Sequence, residues 1–252
     1  MFRIFYSLYA AAIFIIVMLL IFPFVLIASL WGRETGGNMI YRICTFWADI
    51  WFFCVGIRIK KIYESNASEP DGKQIIIANH ISYLDIPIIV KVFRNPIRVL
   101  GKIEMEKIPV FGFIYKYAVV CVDRSNGINR ARSLRLLKRF LKTGIGVFVF
   151  PEGTFNQTTQ PLIYFHNGAF RAAKETGTAI QPVVFLDTFS LMHYSSIFTL
   201  KPGVCRVGYT EKITKEEVHQ YSMEELKQLA YKRMEDFILK HKAVWVLSSE
   251  ED

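Results

Sequence analysis

The run Gln74-Ile75-Ile76-Ile77-Ala78, followed at once by Asn79-His80-Ile81-Ser82-Tyr83-Leu84-Asp85, contains both a fold signal and a chemical signal within twelve residues. An uninterrupted apolar run of this length is typical of a strand buried on both faces, as in a parallel sheet covered by helices. The polar residues after it would lie on the loop at the end of that strand. We therefore expect an α/β fold with chemistry at one edge of its sheet.

The same alternation continues downstream. Helical patterns at 86–93, 127–142 and 167–176 lie between some of the apolar runs. The predicted strands cover 74–78, 97–100, 118–122, 146–150 and 179–186. This order favours an α/β domain with a mixed, largely parallel sheet flanked by helices. A further helix is predicted after Ser222, which forms a capping-box pattern with Glu225.

The N-terminal sixty residues are predicted to anchor the chain in a membrane. Residues 4–32 carry no charge, and as a helix they would run about 43 Å against a hydrocarbon core of about 30 Å. Pro23 leaves open a bent helix seated in one leaflet. Residues 39–57 are interpreted as an interfacial helix, with a second span as the alternative. Residues 61–247 would form the α/β domain and 248–252 an acidic tail.

Charge narrows the classes of partner. The net charge of +9 implies attraction to anionic lipid, acidic carrier proteins or phosphorylated small molecules. No nucleic-acid-binding module accompanies the charge, so nucleic acid is not an expected partner. Basic residues follow the apolar segment and only Arg3 precedes it, which predicts a domain on the cytoplasmic side of the cell membrane. The four cysteines lack metal-ligand spacing, and no metal site is predicted.

His80 and Asp85 offer an imidazole and a carboxylate five positions apart. On a regular helix they would point about 140° apart, so both can face one substrate only if the chain turns between them. Asp85 before Pro87 fits a helix start, with Asp85 as the N-cap. In the catalytic interpretation, Asp85 fixes the tautomer of His80, which takes a proton from a substrate hydroxyl. In the alternative, Asp85 only caps a helix and His80 only closes a turn.

A second polar block, Phe150-Pro151-Glu152-Gly153-Thr154, ends another predicted strand. Its glycine permits close backbone approach, and consecutive N–H groups there could hold a phosphate or a developing oxyanion. Ordinary turn chemistry is the alternative. In combination with the imidazole and carboxylate upstream, the block indicates acyl transfer. Lys102 and Arg124 are candidates for a phosphate clamp, or else solvated surface charges. The basic amphipathic helix over 127–141 suits anionic headgroups or an acidic carrier protein.

These blocks, in this order, resemble the glycerolipid acyltransferases of the lysophosphatidic acid acyltransferase (1-acyl-sn-glycerol-3-phosphate O-acyltransferase, PlsC-like) family. The first block of that family looks like Asn79-His80 through Asp85, the second like Lys102 to Pro109 with Asp123-Arg124, the third like Phe150 to Thr154, and the fourth like Pro182-Val183. The resemblance covers roughly residues 39 to 210.

The resemblance implies transfer of a fatty acyl group from acyl carrier protein or coenzyme A thioester to the free hydroxyl of lysophosphatidic acid, giving phosphatidic acid. His80 and Asp85 would be the catalytic dyad. The acceptor would be bound by Lys102, Arg124, Glu152, Gly153 and Thr154. No metal or bound cofactor is implied, because the acyl thioester is a co-substrate.

One departure from the family pattern concerns the acceptor. The third block of the family usually continues with Arg-Ser, whereas this chain has Phe155-Asn156, which removes a phosphate ligand. Lys102, Arg124 or Arg171 would have to compensate, or the acceptor is another lyso-lipid such as a lyso-aminolipid. From a different class, a non-catalytic membrane adaptor would need only the apolar N terminus and the basic helix.

Overall fold

A computed structural model describes residues 2–65, 67–70, 72–122 and 127–247. The helices are α1 Phe2–Ser29, α2 Gly37–Cys54, α3 Asp85–Val92, α4 Phe111–Ala118, α5 Gly127–Lys142, α6 Gly168–Thr176, α7 Thr188–Leu191, α8 Lys215–Gln220, α9 Met223–Lys240 and α10 Val244–Leu247. The strands are β1 Ile57–Tyr63, β2 Ile75–Ala78, β3 Ile97–Lys102, β4 Val119–Val122, β5 Gly146–Val149, β6 Ile180–Phe185 and β7 Gly203–Tyr209. The predicted acidic tail, 248–252, lies outside the described residues.

The strands form one sheet in the order β1-β7-β6-β2-β5-β3-β4. The β6–β7 pair is antiparallel and the other pairs are parallel, so the prediction of a mixed, largely parallel sheet is confirmed. Strands β1 and β7 were not predicted. Because β1 begins at Ile57, the predicted boundary between residues 60 and 61 falls inside this strand.

Helices cover both faces of the sheet. On one face, Phe148 and Phe185 pack with buried residues of α1, α2, α3 and α4. On the other face, Val147 and Val184 pack with α5, α6, α8 and α9. Alternate residues of β5 and β6 therefore serve two separate cores, as strands buried on both sides require. The predicted capping box of Ser222 and Glu225 is confirmed at the start of α9.

The helices α1 and α2 pack against each other as a hairpin on the outer side of the first core. Trp47 and Trp51 of α2 lie on the side of this helix that meets α1, where both contact the ring of Phe14. Both indoles are buried between the helices, where Trp51 Nε1 donates to the carbonyl of Ala10 at 2.9 Å. Among the described residues, α1 is the one helix long and apolar enough to cross a membrane, judged by length and composition alone.

A buried arginine ties the connection between α1 and α2 to the sheet. Arg98 of β3 is fully buried, and its guanidinium donates to the carbonyls of Arg33 and Glu34 at 3.0 and 3.1 Å and to Oδ1 of Asn38 at 2.9 Å. Its charge also lies 5.0 Å from the ring centre of Phe140. Burial lowers the pKa of Arg98 to about 10.

Candidate active site

The loop between β2 and α3 brings an imidazole and a carboxylate together. His80 Nδ1 lies 2.8 Å from Asp85 Oδ2. The Asp85 side chain is fully buried, while 16% of the His80 side chain is exposed. A buried acid that orients a partly exposed imidazole is the arrangement a general base requires. The chain does turn between the two residues, as the spacing demanded.

The carboxylate is held by the loop and does not cap the helix. Asp85 is the first residue of α3, and Leu84 occupies the N-cap position, so the predicted Asp N-cap is wrong. Besides His80, Oδ2 accepts hydrogen bonds from the backbone N–H groups of Ile81 and Ser82 at 2.8 and 2.9 Å. Three N–H donors on one oxygen fix the position of the carboxylate, and with it the direction in which the imidazole points.

Aromatic rings enclose the imidazole on two sides. The ring of Phe150 stacks on His80 with centroids 3.9 Å apart and planes 13° apart. The ring of Phe155 lies 4.3 Å from the imidazole and packs edge-on against Tyr83 at 4.9 Å. Because Nδ1 faces Asp85, these contacts leave the Nε2 edge of His80 to meet a substrate.

Glu152 joins the two sequence blocks inside the protein. Its side chain is 2% exposed, and Oε1 accepts a hydrogen bond from the backbone N–H of His80 at 3.1 Å. Burial, reinforced by the charge of Asp85, raises the pKa of Glu152 to about 8, although hydrogen bonds from the backbone of His80 and Ile163 oppose the shift. This geometry gives Glu152 a contact with the loop that carries His80; binding of the acceptor by Glu152 remains a prediction.

The turn after Glu152 depends on glycine. Gly153 has φ 72°, a left-handed conformation that L residues with a side chain disfavour. Its N–H donates to the carbonyl of Phe150 at 3.1 Å, so this N–H is engaged in the turn. Thr154 is exposed beside it. Asn156 is buried and receives Thr158 N–H on its Oδ1 at 2.9 Å, which makes it a residue that shapes the loop.

The second-block candidates lie farther from the dyad. Lys102 is exposed at the end of β3, and β5 separates β3 from β2. Two strand spacings amount to about 10 Å. Because these strands are parallel, Lys102 shares the sheet edge with His80, and binding of phosphate there remains a prediction. Arg124 lies outside the described residues. Within the described ranges, no group of three or more His, Cys, Asp or Glu side chains is arranged to hold a metal ion.

Sequence reasoning missed three residues of the site. Asn79 uses its amide to pair β2 with β6: Oδ1 accepts from the N–H of Phe185 at 2.8 Å, and Nδ2 donates to the carbonyl of Phe185 at 3.1 Å. Phe150 and Phe155 form the walls around the imidazole. A buried asparagine directly after an apolar strand was an available signal for the first, whereas the ring contacts depend on chain segments about seventy residues apart.

Comparison with known proteins gives the family. The sequence model of the family described as Acyltransferase matches residues 58–186, which is 129 of the 252 residues. The chain belongs to the acyltransferase family. The matched residues include both blocks that meet at His80, so the resemblance inferred from the motifs is confirmed.

Individual acyltransferases show the same relationship. The chain is 30% identical over 200 residues to the chloroplast 1-acyl-sn-glycerol-3-phosphate acyltransferase of Arabidopsis thaliana, a match that covers 78% of this chain and 54% of that one. It is 28% identical over 165 residues to the 1-acyl-sn-glycerol-3-phosphate acyltransferase of Salmonella typhimurium, with coverage of 65% and 64%. The match thus spans between half and two thirds of the length of these two relatives.

A solved structure shares the fold. The crystal structure of the 1-acyl-sn-glycerophosphate (LPA) acyltransferase PlsC from Thermotoga maritima superposes with a TM-score of 0.75 at 24% identity, covering 96% of this chain and 99% of that chain. The similarity therefore extends over α1 and α2 as well as the acyltransferase domain.

Proposed function

We propose that this acyltransferase moves a fatty acyl group from acyl carrier protein or coenzyme A thioester to the free hydroxyl of lysophosphatidic acid, giving phosphatidic acid. The observation that carries the proposal is the 2.8 Å pair of His80 Nδ1 and Asp85 Oδ2, with the acid buried and the imidazole open on one edge. The names of the curated relatives support this choice of acceptor and product.

The proposed reaction proceeds by direct attack. Asp85 holds the Nδ1–H of His80, so the lone pair of Nε2 takes the proton of the acceptor hydroxyl as its oxygen attacks the thioester carbonyl. The carbonyl oxygen gains negative charge, the carbon–sulfur bond then breaks, and the leaving thiolate takes a proton from the imidazolium. No covalent acyl-enzyme forms, because the substrate alcohol occupies the place of a nucleophilic serine.

Phe155 affects which acceptor headgroup the site can bind. At this position the chain places an aromatic ring against His80, where the resemblance predicts an arginine for the phosphate. A lyso-lipid without a phosphate monoester is therefore the second candidate acceptor. A non-catalytic adaptor is disfavoured, since an adaptor has no need for a buried acid oriented onto an imidazole.

Membrane attachment through α1 is part of the proposal, with the catalytic domain on the cytoplasmic side of the cell membrane. Apolar side chains on the outer surface of α1 remain uncovered by the protein; Phe2, Leu20 and Phe24 are 72%, 67% and 62% exposed. A surface of this kind favours lipid as its surroundings.

The test is release of free thiol from acyl thioester by the purified full chain in detergent, with a panel of lyso-acceptors and both donors. His80→Ala should lose about 10²- to 10⁴-fold in kcat, the contribution expected of a general base. His219→Ala, at an exposed histidine of α8, is the matched control and should retain activity. Near-normal turnover by His80→Ala would refute the assignment, and equal rates with and without an acceptor phosphate would refute lysophosphatidic acid as the specific acceptor.

A further inference from the structure

A cavity lies on the face of the sheet that α5 and α6 cover. It has a volume of about 800 Å³ and is lined by residues of α5 and α6, so we call it the α5–α6 cleft. Apolar residues from the strands line it, among them Leu100 of β3 and Val149 of β5. Phe150 and Gly153 also line it. The cleft therefore reaches the turn whose phenylalanine stacks on His80.

The side chains from the two helices make the cleft basic. Arg135 and Lys138 of α5 and Arg171 of α6 line it, together with Glu175. Glu175 bridges the helices, with Oε2 at 2.6 Å from Lys138 Nζ and Oε1 at 2.8 Å from Arg171 Nε. Among the described lining residues, three cationic side chains are thus balanced by a single carboxylate. These ion pairs are solvent-accessible and weak, so an incoming anion can compete for both cations.

The first residues of α6 add to the positive electrostatic potential of the cleft. Gly168 and Ala169 line the cleft, and the start of a helix carries a partial positive charge and free backbone N–H groups. Lys138, Arg171 and this helix start all favour an anion with several acceptor oxygens, such as a phosphate ester.

The position of the cleft separates two routes to His80. Helix α1 packs with the core on one face of the sheet, whereas α5 and α6 pack with the core on the other. A lipid acceptor that keeps its acyl chain in the bilayer approaches from the side of α1. An acyl donor carried by a water-soluble group approaches from the opposite side, where the cleft opens.

We propose that the α5–α6 cleft binds the phosphate-bearing arm of the acyl donor, with Lys138 and Arg171 on its phosphate ester and the thioester directed past Gly153 toward His80. This inference rests on the proposed function. Coenzyme A and the phosphopantetheine of a carrier protein share the required chemistry, which is a phosphate ester joined to a long amide-containing thiol. The apolar strand residues suit the arm, and the basic helices suit the phosphate.

The experiment compares KM for donor and acceptor in a Lys138→Ala, Arg171→Ala double variant. Loss of charge-assisted hydrogen bonds to one phosphate should raise the donor KM about tenfold or more, with the acceptor KM and kcat unchanged. Three acyl donors are compared: acyl-coenzyme A, acylated acyl carrier protein and acyl-pantetheine. Acyl-pantetheine lacks the phosphate, so its KM should already be high and should not respond to the double variant. Glu175→Gln removes the competing carboxylate and should lower the KM of the phosphate-bearing donors.

Lys61→Ala is the matched control. Lys61 lies on the distant strand β1 and forms a comparable solvent-accessible ion pair with Glu69, so its loss should leave both KM values unchanged. A raised acceptor KM with an unchanged donor KM would assign the cleft to the acceptor and overturn the proposal. No change in either KM would also overturn it. Titration of free coenzyme A into the wild type and the double variant tests the cleft separately from the proposed function. A lower affinity of the variant for coenzyme A supports binding in the cleft even if no lyso-acceptor causes thiol release from the donor.

Discussion

The side chain of Glu152 accepts a hydrogen bond from the backbone N–H of His80 across 3.1 Å. The contact joins the end of β5 to the end of β2, two strands that are neighbours in the sheet. Asn156 N–H donates to the carbonyl of His80 at 2.7 Å in return. Both polar groups of the His80 backbone are therefore held by the segment that follows β5, which makes the position of the dyad sensitive to changes in that segment.

Asp85→Asn should reduce kcat while leaving the loop nearly the same shape. The amide is similar in size to the carboxylate but carries no charge to stabilise the imidazolium that forms during proton transfer. A fall of at least about 10²-fold in thiol release is expected. Asp236→Asn, at an exposed position of α9, is the control. Wild-type turnover by Asp85→Asn would show that the buried acid does not act on the reaction.

Glu152→Gln should change how stability depends on pH. Because burial raises the pKa of Glu152 from 4.5 to about 8, the folded chain keeps a proton that the unfolded chain releases. The contribution of this group to the free energy of unfolding therefore falls as pH rises from about 4.5 to 8, by at most about 1.4 kcal/mol per pH unit. Glutamine cannot titrate, so the variant should lack this slope. Urea unfolding of both proteins at pH 5, 6.5 and 8 measures it, and parallel pH profiles would contradict the prediction.

Phe155→Ala should lower kcat about two- to tenfold, because an aromatic contact of this kind is worth about 0.5–1.5 kcal/mol and here it restrains the imidazole. The KM of the donor should change little. Tyr83→Phe retains the ring that packs on Phe155 and serves as the control. Increased turnover in Phe155→Ala would mean that the ring obstructs the site instead of positioning His80.

Gly153→Ala should cost about 1–2 kcal/mol of stability, since a side chain is disfavoured at φ 72°. Gly144→Ala is a matched control for strain: it also has a positive φ, 84°, with open space where its added methyl group would lie and no part in the site. Both variants should unfold at similarly lowered denaturant concentrations. Only Gly153→Ala should lose activity as well, because its turn carries Glu152 and Phe155 to His80; equal activities would contradict this.

Much of the domain was predictable because its signals are local. The basic amphipathic pattern gave α5 over 127–142, which is its observed span, and the run of isoleucines gave β2. Strand β1 was missed although Ile57-Arg58-Ile59-Lys60 alternates as a strand at the edge of a sheet does. Its basic residues had been assigned to the flank of a membrane segment. Strand β7 pairs with both β1 and β6, and pairing between distant segments has no signature in a single stretch of sequence.

The candidate site also has a part that local sequence signals predict and a part that depends on the tertiary fold. His80 and Asp85 are five positions apart, so their spacing and the proline that follows indicated a turn that could bring them together, although the N-cap is Leu84. The burial of Glu152 and the rings around the imidazole require β2 and β5 to be adjacent, and this depends on the order of strands in the sheet. The hydrogen bond from Trp51 to the carbonyl of Ala10 likewise depends on how α1 and α2 pack against each other.

The guanidinium of Arg98 makes the apolar hairpin and the catalytic fold a single cooperative unit. A shortened protein beginning at β1 would lose the carbonyls of Arg33 and Glu34 that accept from this guanidinium. It would also expose to water the apolar residues of α3 and β5 that pack with α1 and α2. A truncated protein without α1 and α2 should therefore not fold stably. The intact polypeptide, extracted in detergent, is the form in which this enzyme can be studied.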